Sequence, residues 1–159
     1  HIVYLADSGG LKVGVTRLAQ RHTRWMDQGA SRVRIIAQTE NRFQAGVIEV
    51  ALKAHYSDKT AWRNMLAGLE EGQDLSVEAL RAGQFFPAEM RSFFKTDGEE
   101  HTLTYPAQPV VKAKALKLQG RDAFEGVLAG IRGQYLLFRD GRVFNVRSHE
   151  GMHARWTVS

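Results

Sequence analysis

Four polar side chains stand out against their apolar surroundings in the first third of the chain: Tyr4, Lys12, Arg24 and Glu49. Tyr4 sits inside the β-prone run Ile2-Val3-Tyr4-Leu5, and Lys12 in the alternating run Leu11 to Thr16 with Gly14 two residues on. Glu49 is the only charged residue between Gly46 and Leu52. A carboxylate in an apolar helical run needs a partner, which can be a metal, a cation or a hydrogen-bond donor. Arg17, Arg21, His22 and Arg24 fall within one short segment, with Arg32 and Arg34 soon after. Forked guanidinium groups suit phosphate, so this stripe reads as a footprint for a polyanion.

A fifth pattern, His149-Glu150-Gly151-Met152-His153, spells the zinc-protease sequence H-E-x-x-H. That chemistry requires a helix to put both histidines on one face. Here the pattern contains a glycine and lies between strand-like runs with no third ligand downstream, so it reads as a loop. His55, closing the Glu49 helix, is a further residue that can lie near the site.

The elements that must position these groups follow from periodicity. Asp7-Ser8-Gly9-Gly10 is turn chemistry between two short strands, which makes Ile2 to Thr16 a hairpin. Leu18 to Gln28 reads as a basic amphipathic helix stopped by Gly29, and Val33 to Ala37 as a third strand. Asn41 to Tyr56 is helical, with Phe43, Val47, Val50 and Ala54 on one stripe and Ile48 and Leu52 on an adjoining one. So wide an apolar surface places this helix centrally in the core. Further helical runs surround Trp62, follow Ser76 and follow Pro87.

After Asp97-Gly98 the chain changes character, and six strand-like runs extend from Thr102 to Val158. Asp140-Gly141 is a tight hairpin signal between two of them. The fold class expected is α+β: a mixed α/β N-terminal domain over 1–96 and a small antiparallel β sheet or barrel over 97–159. Arg132, Tyr135, Arg139, Arg142 and Arg147 would then give the second unit an arginine-and-aromatic surface.

The 159 residues carry a net charge of +5, mostly from arginine, with 43% hydrophobic and 25% charged residues. That composition supports a core, and charges break every apolar stretch too often for a membrane span. With no cysteine, disulfides and thiolate-bound zinc are excluded within this sequence, and a cytoplasmic setting is expected.

The order hairpin, basic helix, third strand and helix with a single carboxylate resembles the GIY-YIG nuclease superfamily. Val3-Tyr4-Leu5 stands where its first motif triplet would be, and Lys12-Val13-Gly14-Val15-Thr16 looks like its second. Lys12 replaces the usual tyrosine and resembles a branch reading Lys-Ile-Gly; Val3 stands in place of the first glycine. The runs Leu11 to Arg17, Thr23 to Ala30, Ser57 to Trp62 and Gly130 to Leu136 also resemble an uncharacterised bacterial family of unknown function, over most of the chain.

The superfamily resemblance implies a metal-dependent endonuclease with Tyr4, Lys12, Arg24 and Glu49 as catalytic residues. Glu49 would hold a single Mg²⁺ or Mn²⁺ ion. Arg17, Arg21 and His22 would bind the substrate, a nucleic acid, with DNA ahead of RNA, and no membrane would be involved. In such a site Tyr4 would orient or deprotonate water, while Lys12 and Arg24 neutralise phosphate charge. A non-catalytic DNA- or RNA-binding module on the same scaffold is the alternative. A third reading has Phe85, Phe86, Phe93 and Phe94 docking a protein partner.

Overall fold

The computed structural model describes residues 1–69, 72–118 and 123–157. Strands β1 (Ile2–Asp7) and β2 (Leu11–Thr16) form the expected hairpin. Its turn closes on Gly9, whose φ of 74° belongs to the left-handed region that glycine tolerates. A 3-10 turn over Leu18–Gln20 leads into α1 (Arg21–Asp27), which ends at Gly29 with φ 65°, the helix stop anticipated there.

Strand β3 (Arg32–Gln38) pairs antiparallel with β1 on the side away from β2, and β4 (Glu100–Thr102) pairs with β3. The first sheet therefore runs β2-β1-β3-β4. β4 lies far along the chain among the strand-like runs, yet it completes this sheet. Opposite Val3 and Tyr4 the register of β3 skips from Ala37 to Ile35, leaving Ile36 as the extra residue of a bulge. Such a bulge twists the pair and re-aims neighbouring side chains.

Strand alternation divides the core in two. Val3, Leu5, Val13, Ile36 and Ala37 face α2 (Arg42–Leu52) and α4 (Leu75–Gly83). Ile2, Tyr4, Ala6, Val33 and Ile35 face Trp25 of α1. Helix α2 starts from a capping box: the Asn41 side chain accepts from the Gln44 backbone N–H at 3.0 Å, and the Gln44 side chain accepts from the Asn41 N–H. Its buried stripe is Ala45, Ile48 and Leu52, whereas Phe43 is 77% and Val50 69% exposed. The stripe of Phe43, Val47, Val50 and Ala54 expected in the core is thus the outward one. Alanine at position 45 allows the helix backbone to approach the sheet closely.

Helix α3 (Trp62–Leu66) joins the first unit to the second sheet, whose strands are β5 (Lys114–Leu116), β6 (Leu128–Arg132), β7 (Tyr135–Phe138) and β8 (Arg142–Asn145). Its order is β5-β8-β7-β6, with β5 parallel to β8 and the other pairs antiparallel. The expectation of an antiparallel sheet or barrel is corrected on two points: one pair is parallel, and among the described residues no barrel closes. Strands of three to five residues leave β5 and β6 at opposite edges, and β6 rests instead on the segment around Pro106, whose carbonyl accepts from Ile131 N–H at 3.3 Å. The strand expected over 155–158 is absent through 157, and Val158 lies outside the described residues.

The four phenylalanines of the docking reading are occupied within the chain. Phe86 is buried, and Phe85, Phe93 and Phe94 pack against the core beside it. That reading loses its support.

Candidate active site

Tyr4 points from β1 onto the α1 side of the sheet, the same side as Lys12 and Gly14 of β2, because Ala6 pairs with Lys12 and Tyr4 with Gly14. The Tyr4 ring lies directly over Gly14. A Cβ added there would stand 2.6 Å from the phenol oxygen and from Cζ. Only glycine lets the tyrosine cross the strand, so the two residues form one structural unit.

The Tyr4 hydroxyl donates to Gln28 Oε1 at 3.1 Å, and its ring meets Trp25 edge-on at 5.8 Å. Arg24 and Trp25 come from α1 and Gln28 caps its C-terminal end, where a spacing of four residues puts Arg24 and Gln28 on one flank. Burial pushes the Tyr4 pKa up; Arg24 and the Gln28 hydrogen bond oppose this, and Glu49 adds to it. The net direction is upward, so the phenol stays protonated near neutral pH.

Lys12 is shifted the other way. Only 3% exposed, it donates from Nζ to Thr60 Oγ1 at 2.6 Å. Burial, then Arg24, lowers its pKa from 10.5 to about 8, with Asp58 pulling upward. The amine is therefore the group of this site nearest to exchanging a proton under ordinary conditions.

Glu49 is on α2, 17% exposed, and meets a cation at each oxygen: Arg42 Nη2 lies 3.5 Å from Oε2 and Lys53 Nζ 3.9 Å from Oε1. Lys53 also pairs with Asp58 at 3.3 Å. The partner required by a carboxylate in an apolar run is thus two cations from its own helix. Arg24 acts on both Tyr4 and Lys12, which groups these three at the hairpin, whereas Glu49 stands on α2, the helix packed on the other face of the sheet, and is the weakest of the influences on Tyr4.

The predicted substrate-binding residues separate. Arg17 is exposed, and Arg21 folds back to donate to the Leu18 carbonyl at 3.0 Å. The His22 ring lies 5.3 Å from Trp25 and 5.7 Å from His101 of β4. His55 stacks on Phe85 at 3.5 Å.

The H-E-x-x-H segment forms a 3-10 turn over Arg147–His149 followed by coil. Its His149 ring is held by the Asn145 carbonyl and the Leu118 N–H. In the second sheet Arg132 and Arg142 are committed to packing and hydrogen bonds, which leaves Arg139 and Arg147 exposed.

Gln28, Arg42, Asp58 and Thr60 join the cluster without having been singled out in the sequence. Gln28 lies four residues after Arg24, and Arg42 seven before Glu49, so helical spacing carried a signal for both. Thr60 carried none, because it reaches Lys12 through a loop. There Ser57 runs alongside β2 and its carbonyl accepts from Val13 N–H at 3.0 Å.

The structure is that of an α+β protein of two four-stranded sheets, with a phenol, an amine and a guanidinium grouped at the hairpin and a carboxylate on α2. The chain belongs to the family DUF2797, a protein family of unknown function, whose model matches residues 1–154. No curated protein and no solved structure matches it. Among the described residues, no helix is long and apolar enough to cross a membrane.

Proposed function

We propose that this chain is a nucleic-acid-processing domain acting as a divalent-metal-dependent, GIY-YIG-like endonuclease. The observation that carries this reading is the Tyr4 ring lying over Gly14 with Lys12 on the same face of the hairpin, both under the influence of Arg24.

A phosphodiester is cut by a water nucleophile, with charge neutralised on the phosphate and on the leaving oxygen. With its pKa raised, Tyr4 serves as a hydrogen-bond donor that orients the water rather than as the base. Lys12, neutral in a substantial fraction near pH 8, is the proton acceptor. Arg24 neutralises charge on the phosphate. Glu49 would hold the Mg²⁺ or Mn²⁺ ion once a cation at its oxygens gives way, since a single carboxylate plus substrate phosphates and water suits Mg²⁺. Such an ion would stabilise the leaving oxygen.

The test is cleavage of supercoiled plasmid and labelled DNA or RNA with Mg²⁺ or Mn²⁺. Glu49→Gln should abolish cutting, and Arg24→Ala should reduce it by about 10²-fold or more. An intact substrate with the wild-type protein in both metals would end the catalytic reading.

A second reading, a non-catalytic DNA- or RNA-binding module, is favoured by one observation. Tyr4 is fully buried and Lys12 nearly so, beneath Arg24, Gln28 and Thr60. Salt-sensitive binding that Glu49→Gln leaves intact, without cleavage, would identify it.

A further inference from the structure

Arg42 has an unusual reach. Arg42 and Glu49 are seven positions apart on α2, roughly 10 Å of helix rise, and the two side chains reach toward each other to close that gap. Arg42 passes Gly46, where a Cβ would lie 3.4 Å from Nη1, and arrives 3.5 Å from Glu49 Oε2. The Arg42 side chain is 58% exposed, and the Glu49 side chain 17%. Lys53, the other cation on Glu49, is the more distant and is shared with Asp58. A mostly exposed arginine is the more readily displaced of the two, since water replaces its contact at little cost.

We propose that Arg42 is the resting counter-ion of Glu49, and that a divalent cation binds this carboxylate by displacing it. The inference rests on the endonuclease reading and adds a control to the same site. Metal affinity is held down while Arg42 occupies the Oε2 flank. Any phosphate that draws the guanidinium away raises the availability of Glu49, so metal and nucleic acid bind with positive coupling. Arg42 is a positioning residue in this scheme, acting on the reaction through Glu49.

The experiment is a titration with Mn²⁺ alone, followed by the electron paramagnetic resonance signal of the free ion, on wild type, Arg42→Ala, Glu49→Gln and Arg91→Ala. Arg91 is an exposed arginine on the 3-10 helix Ala88–Phe93 and controls for loss of one positive charge. Arg42→Ala should bind Mn²⁺ on the order of three- to tenfold more tightly than wild type, with Arg91→Ala unchanged and Glu49→Gln losing the site. A saturating oligothymidylate should tighten Mn²⁺ binding more in wild type than in Arg42→Ala. If Glu49→Gln abolishes binding but Arg42→Ala leaves it unchanged, weakens it or merely matches Arg91→Ala, the counter-ion role falls and the endonuclease reading stands. Equal tightening by the oligonucleotide in both proteins removes the coupling through Arg42. Mn²⁺ binding indifferent to Glu49→Gln overturns both.

Discussion

A buried lysine is an odd choice for stability, and Lys12 makes that measurable. Its pKa falls from 10.5 to about 8 because burial and Arg24 outweigh Asp58. Between those two values the unfolded chain binds the proton that the folded chain has released, so stability rises as pH climbs from about 8 to 10.5. The full effect is on the order of 3 kcal/mol. Urea denaturation at a series of pH values should show this rise in wild type and its loss in Lys12→Met, which should also be the more stable protein at pH 7. A flat wild-type profile would mean that Lys12 is solvated in solution. Gly14 was legible as a motif residue, but its physical reason, the overlying Tyr4 ring, emerges only once β1 and β2 are in register. Gly14→Ala should destabilise by about 1–3 kcal/mol through overpacking. The penalty should shrink in a Tyr4→Leu background; equal penalties in the two backgrounds would show that the ring is not what the new methyl meets.

At the scale of elements, the front of the chain was readable because its signals are local. Alternation, the Ser8-Gly9-Gly10 turn and the Gly29 stop each act within a few residues, and the hairpin, α1 and β3 formed where they pointed. Helix α2 shows where such signals end. Both of its stripes are apolar, so hydrophobicity alone does not choose between them, and the sheet took Ala45, Ile48 and Leu52. Only that choice fixes where Glu49 emerges. The capping box at Asn41 sets where the helix begins, about two turns before Glu49. Asn41→Ala should cost about 1 kcal/mol, measured by thermal or urea unfolding. Because the cap lies in the turn that carries Arg42, fraying there should also loosen the Arg42–Glu49 pair. A cap that contributes nothing would leave the unfolding midpoint unchanged.

Over the whole molecule, the second sheet is anchored at the C-terminal end of α1, the helix that supplies Arg24 and Gln28. Arg132 donates from Nε to the Gly29 carbonyl at 3.1 Å and stands over the Tyr105 ring at 5.2 Å. The Tyr105 hydroxyl donates to the Ala30 carbonyl at 2.8 Å. Long-range partners of this kind leave no trace in local periodicity, which is why the sequence offered Arg132 and Tyr135 as a wet surface. In the folded chain Arg132 clamps α1, and Tyr135 stacks on Trp62 at 5.6 Å. Gly133 is the tightest point of the joint. Its φ is 58°, and an added Cβ would lie 2.9 Å from the Asp27 carbonyl oxygen and 3.0 Å from the Gly29 nitrogen. Both are backbone atoms at the end of α1, so no side-chain rotation relieves the contact. Gly133→Ala should therefore combine left-handed strain of about 1–2 kcal/mol with displacement of the helix end on which Gln28 sits. The expected result is a fall in stability of about 2–4 kcal/mol, together with weaker cleavage or binding although position 133 is remote from the cluster. Gly141→Ala provides the control: it also has positive φ, at 82°, but its nearest neighbour would be at 3.8 Å, in the β7–β8 turn rather than at the joint. It should lose stability from backbone strain alone and leave function unchanged at temperatures where it is folded. If both variants lose function in proportion to their stability, the second sheet supports the fold without positioning the site. If only Gly133→Ala loses function while still folded, the second sheet helps to hold Arg24 and Gln28 over Tyr4.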